Sequence, residues 1–188
     1  MFKVEKLNIK QNTIVNEFLN LLPDNEVLLY YAIIEYLVIL GYIPYKQKVQ
    51  AFDLSFKHID NKKVIAKIGI KDQKCNFRLK FFACKNVPYK FINALYLEAI
   101  EMENRYSLEV PYPNDISNPL YGLMKKCTLL CSICTGGGMR YYCQIPDGKI
   151  IFRCSAYPVF IPNIEQSDLN DLKRLIQEQH NYFIALRS

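Results

Sequence analysis

The sequence predicts an α+β fold, and three observations carry that prediction. From residue 52 to residue 83, apolar and polar residues alternate with a period of two across short polar turns. On either side, over 26–40 and 167–183, apolar residues recur at helical spacing. Strand-like and helix-like runs are grouped and do not alternate, so a parallel βα sheet is not expected. The arrangement expected is an antiparallel three-stranded meander plus a second β-hairpin, packed against about four helices on one side. A single domain spans 1–188, with a subdivision near 104–118 as the alternative.

The first helix is expected over Thr13 to Leu22, ended by Pro23. Asp24 or Asn25 then caps a helix from Glu26 to Leu40, with Gly41 where a left-handed residue is wanted. Leu28, Leu29, Ala32, Ile33, Tyr36 and Leu37 form its apolar face. In the strand region Phe52, Leu54 and Phe56 alternate with Asp53, Ser55 and Lys57. Val64, Ala66, Ile68 and Ile70 alternate with Lys63, Ile65 and Lys67. Cys75, Phe77, Leu79, Phe81 and Ala83 alternate with Asn76, Arg78 and Lys80.

Pro88 opens a helix expected to reach Glu103. The tyrosine- and proline-rich stretch from Arg105 to Asn118 reads as an ordered loop covering the core. Asn118-Pro119 then caps and opens a helix through Cys134, which Gly136 to Gly138 end. Tyr141 to Ile145 and Lys149 to Ala156 form a hairpin turned by Pro146-Asp147-Gly148, with Pro158 and Pro162 closing the region. Ser167 caps a last helix, whose core face is Leu169, Leu172, Leu175, Ile176 and Phe183.

Bulk properties narrow the function classes. Hydrophobic residues make up 51% and charged residues 22%, which is globular composition and excludes a disordered chain. The N-terminal MFKVEKLNIK has no apolar stretch and leads one to expect no signal peptide. The run from Val27 to Leu40 is short of the about 20 residues a bilayer requires. A cytoplasmic protein without a membrane partner is expected. Seven cysteines, an odd number in a chain large enough to build a core, suggest reduced thiols and not a disulfide framework.

The cysteine-rich segment CTLLCSICTGGG, residues 127–138, holds three thiols at C-x3-C-x2-C spacing. That spacing resembles the three-thiolate motif of radical S-adenosylmethionine enzymes, whose motif opens a large barrel. Here 54 residues follow Cys134, they do not alternate as βα units, and Ile133 stands where that family has an aromatic residue. Zinc is the alternative cofactor: Cys131 and Cys134 make a C-x2-C knuckle that Cys143 and Cys154 would complete. The Pro146-Asp147-Gly148 turn argues against it, because it sets Cys143 opposite Ile151 and Cys154 opposite Arg140, on alternate faces of the hairpin. Core packing is the leading reading. Cys127, Cys131 and Cys134 stand at i, i+4 and i+7 on one helical stripe, and free Cys behaves as a small hydrophobe. No cofactor is expected on that reading.

Charge is unevenly spread. Residues 45–90 carry twelve Lys and Arg against three Asp, a net of +9, whereas the whole chain is only +6. By the alternation, Lys57, Lys63, Lys67, Arg78 and Lys80 share one sheet face, with Ile65 and Phe82 among them. Such a face suits an anionic ligand, an acidic protein surface or nucleic acid. Only His58 and His180 are available as imidazole bases; a spatial Cys–His dyad, for example Cys84 with His58, is conceivable, but nothing in the sequence picks one out. No pairing of carboxylates suggests acid–base work. The function expected is therefore a binding or accessory domain with no evident catalytic constellation.

Overall fold

The computed structural model describes residues 2–47, 52–71, 74–80, 88, 90–91, 94, 97, 125–126, 139–144, 150–154 and 158–185. The described residues hold three α-helices, one 3-10 turn and eight strands, in the order α1 (Ile9–Leu19), α2 (Asp24–Ile39), β1 (Tyr42–Lys46), β2 (Phe52–His58), β3 (Val64–Lys71), β4 (Lys74–Lys80), β5 (Lys125–Lys126), β6 (Met139–Gln144), β7 (Ile150–Cys154), β8 (Pro158–Ile161) and α3 (Leu169–Ala185). This is an α+β architecture, as expected. No described helix is long and apolar enough to cross a membrane.

α1 begins earlier than its sequence pattern suggests, because Asn8 and Gln11 form a reciprocal capping box. The Gln11 N–H donates to Asn8 Oδ1 at 2.9 Å, and the Asn8 N–H donates to Gln11 Oε1 at 3.0 Å. Asn12, one turn in, is buried and donates from Nδ2 to the Val4 and Leu7 carbonyls, which pins the N-terminal segment over the helix. α2 starts at Asp24 with Pro23 in the cap position, so Asp24 lies inside the first turn, where it favours the dipole, and makes no side-chain cap. Its buried face is Leu29, Tyr30, Ile33, Ile34, Leu37 and Val38. The expected stripe is thus rotated by about one residue, and Leu28 is 66% exposed. Gly41 does take the positive φ expected of it, +88°.

The sheet is five-stranded and antiparallel, in the order β1-β2-β3-β4-β8. The three alternating runs are its central strands, but the expected three-stranded meander is too narrow. Tyr42–Lys46 adds an edge strand that tolerates Pro44 because β1 pairs only on one side. Pro158–Ile161 adds the other edge by pairing with β4. One face of the sheet presents Leu54, Phe56, Ala66, Ile68, Phe77, Leu79, Val159 and Ile161 to a single core shared with α1, α2 and α3. Burying such side chains contributes about 1.5–3 kcal/mol each before chain entropy is set against it.

A second sheet has the order β5-β6-β7. Lys125–Lys126 pairs with Met139 and Arg140, so the helix expected from Asn118 to Cys134 does not run through these two residues. The periodicity of a short apolar run does not by itself separate helix from strand. Lys90, Phe91, Ala94 and Leu97 are also helical, outside the three helices bounded above, consistent with a helix opening at Pro88. Lys90 pairs with the Asp168 carboxylate at the entry to α3. That entry is a 3-10 turn, Gln166–Asp168, capped by Glu165 and Asp168 and not by Ser167. The Arg105–Asn118 stretch lies outside the described residues.

Candidate functional site

The second face of the five-stranded sheet carries the polar half of the alternation. Strand pairing aligns Tyr45, Ser55, Lys67, Arg78 and Phe160 into one row that crosses every strand of the sheet. The next row on the same face adds Lys57 from β2 and Lys80 from β4. The row on the other side holds Asp53, Gly69 and Asn76. Four of the five predicted cationic positions therefore meet on this face. Lys63 does not join them. A bulge between Phe56 and Lys57 sets Val64 opposite Lys57, which leaves Lys63 exposed in the turn before β3. Its N–H donates to Asn61 Oδ1 at 2.9 Å, and its carbonyl accepts the His58 N–H at 3.0 Å. Ile65 is fully buried at that bulge.

Electrostatics shape the centre of the face. Lys67 and Arg78 sit directly opposite one another, an arrangement that like charges disfavour. Asp53 offsets it by accepting from Arg78 Nη2, and both Asp53 and Ser55 are buried. Gln47 Nε2 donates to Ser55 Oγ at 2.7 Å, while Lys67 Nζ donates to Gln47 Oε1 at 3.4 Å. Gly69 is required here: a Cβ would stand 2.5 Å from Asp53 Oδ1 and 3.0 Å from the Phe52 carbonyl. Arg78 Nε is buried and finds no acceptor among the described residues. Lys57 Nζ lies 4.6 Å from the centroid of the Tyr45 ring, a cation–π contact. Tyr45 and Phe160, each 41% exposed, stand at the two ends of the central row. Both come from strands that sequence pattern missed; Phe160 at least stands between the apolar Val159 and Ile161, whereas Tyr45 is followed by Lys46. Phe82 lies outside the described residues.

Of the zinc candidates, Cys131 and Cys134 lie outside the described residues, as do Cys127 and Cys84. In the second sheet Cys143 pairs with Ile151 and Cys154 with Arg140, the register expected from the Pro146-Asp147-Gly148 turn. Those two positions are an odd number of steps apart along the ladder and belong to alternate faces. Cys75, on β4, is partly buried beside Tyr30. Burial pushes its thiol up to about 12, which keeps it protonated and unreactive near neutral pH.

The two histidines are brought together. Their rings are 6.0 Å apart, centroid to centroid, with Tyr42 packed edge-on against both at 5.0 and 5.7 Å. His58 is buried and no surface residue. No family model, curated protein or solved structure matches this chain.

Proposed function

We propose that this chain is a binding domain with no catalytic constellation of its own, and that it takes single-stranded nucleic acid across the β2–β3–β4 face. The observation that carries this reading is the row Tyr45–Ser55–Lys67–Arg78–Phe160, with an aromatic at each end and two cations between. Single strands are held by cations that track the phosphates and by aromatic rings on which bases stack. The two rings are separated by four inter-strand spacings, about 19 Å at about 4.8 Å each. A strand running at right angles to the β-strands would meet aromatic, cation, cation and aromatic in turn. Lys57 and Lys80 in the adjacent row supply further phosphate contacts. The net +9 of residues 45–90 agrees with such a role.

Titration of a labelled single-stranded oligonucleotide at several salt concentrations tests the proposal. The expected result is binding whose logarithm falls linearly with the logarithm of salt, and a loss of about tenfold or more in Lys57→Glu/Lys67→Glu. Salt-insensitive binding, or equal affinity in that variant, would rule the face out. Binding of inorganic phosphate or an acidic peptide in place of the oligonucleotide would transfer the same cations to a different ligand class and defeat the nucleic-acid reading.

A further inference from the structure

The histidine–tyrosine cluster has a separate consequence that does not depend on the ligand of the sheet face. Tyr42 is fully buried where β1 begins, His58 ends β2 at 7% exposure, and His180 comes from the last turns of α3. Tyr42 Oη and His180 Nδ1 are 3.2 Å apart. Gly41 makes room for the arrangement, since a Cβ on it would lie 3.2 Å from His58 Nε2. The cluster thus ties the C-terminal helix to the first two strands of the sheet through three side chains.

Proton placement follows from the hydrogen bonds. The Asp60 N–H donates to His58 Nδ1 at 3.3 Å, so neutral His58 carries its proton on Nε2. The Asp60 carboxylate lies 3.8 Å from the same nitrogen. His180 with its proton on Nε2 accepts the Tyr42 hydroxyl proton at Nδ1. As an imidazolium it must donate there instead, which leaves the buried phenol proton without its acceptor.

The surroundings resist a charge on His180. Burial first, and then His58, hold its titration below the ordinary value of 6.5. Other titratable groups near the pair are found among the described residues. Asp60 approaches from the turn after β2 and Tyr42 from β1. From α2, Tyr36 reaches α3 one turn earlier, meeting Gln177 Oε1 at 2.8 Å and lying under Lys173 Nζ. Glu178 stands two residues before His180 on α3 itself.

We infer that His58, Tyr42 and His180 form an acid-sensitive clasp, which holds the C-terminal helix against the first strand at neutral pH and loosens it on acidification. The sign follows from linkage. His180 titrates lower in the folded chain than in the unfolded one, so the folded state binds fewer protons. The clasp's contribution is complete above the ordinary imidazole value of 6.5 and is lost as pH falls below it.

Hydrogen exchange of the full chain, corrected for intrinsic rates and compared at about pH 7.5 and about pH 5.5, spans the histidine range. Protection of α3 is expected to fall about threefold or more at the lower pH, because protons bound only by the open form raise its population. His180→Gln retains a side chain that can hydrogen-bond Tyr42 and does not titrate, so it should markedly reduce the pH dependence. Equal protection of the wild-type helix at both values, or an unaltered dependence in His180→Gln, overturns the clasp. A direct NMR titration of the imidazoles needs no variant. His180 titrating below its ordinary value supports the inference, and His180 titrating at or above it refutes it.

Discussion

The two faces of the five-stranded sheet are made from the same strands and obey different physics. On the helix side Leu54, Phe56, Ala66, Ile68, Phe77 and Leu79 are fully buried, and shape and volume decide what fits. On the other side Lys67 and Arg78 are half-buried, and what fits is decided by charge and hydrogen bonding around Asp53 and Ser55. Gly69 shows the contrast within one strand. Its neighbour Ile68 fills the core, whereas a Cβ at position 69 would have to displace a carboxylate. A face built by volume locks the fold, and a face built by charge holds Arg78 against Asp53 and Lys67 against Gln47.

Three sets of substitutions test this contrast, from the largest expected effect to the smallest. Phe77→Ala should cost about 3–5 kcal/mol in urea unfolding, the cost of a cavity in a close-packed core. A loss under about 1 kcal/mol would mean that the helix face is loosely packed. On the charged face Asp53→Ala should cost about 2 kcal/mol, less than a fully buried pair, because Arg78 keeps contact with water. Gly69→Ala should cost about 1–3 kcal/mol from overpacking. The two together should cost less than their sum, since both act through the same carboxylate, with the Phe52 carbonyl still crowding the alanine. Strict additivity in that double-mutant cycle would show that Gly69 and Asp53 are independent.

Lys67→Met should leave stability within about 0.5 kcal/mol. The same variant should weaken oligonucleotide binding and reduce the magnitude of its salt slope by about 0.7, the value of one phosphate contact on a single strand. A variant that loses stability and keeps the slope would make Lys67 a structural residue.

Legibility in the sequence followed the range of the interactions involved. β2, β3 and β4 were readable because period-two alternation is local and each turn is short. β1 and β8 were not, because each is brief and carries a proline, and β8 becomes a strand only by pairing with the distant β4. The same reason hid Tyr45 and Phe160, and with them the aromatic ends of the candidate site. The bulge at Phe56 and Lys57 removed Lys63 from the predicted face, since one extra residue reverses the alternation beyond it. The expected caps at Asp24 or Asn25 and at Ser167 differ by one or two residues from the observed Pro23 and Glu165, where competing polar residues stand close together.

By itself the sequence determined the α+β class, the central strands, the hairpin register of Cys143 and Cys154, and the concentration of positive charge at 45–90. Each of these follows from side-chain alternation, turn chemistry or composition, which act over a few residues. Tertiary structure alone decided that the sheet has five strands, that two aromatics flank Lys67 and Arg78, and that His58 meets His180 across Tyr42. Those outcomes depend on long-range pairing and burial, whose free energy arises only when the segments are in contact.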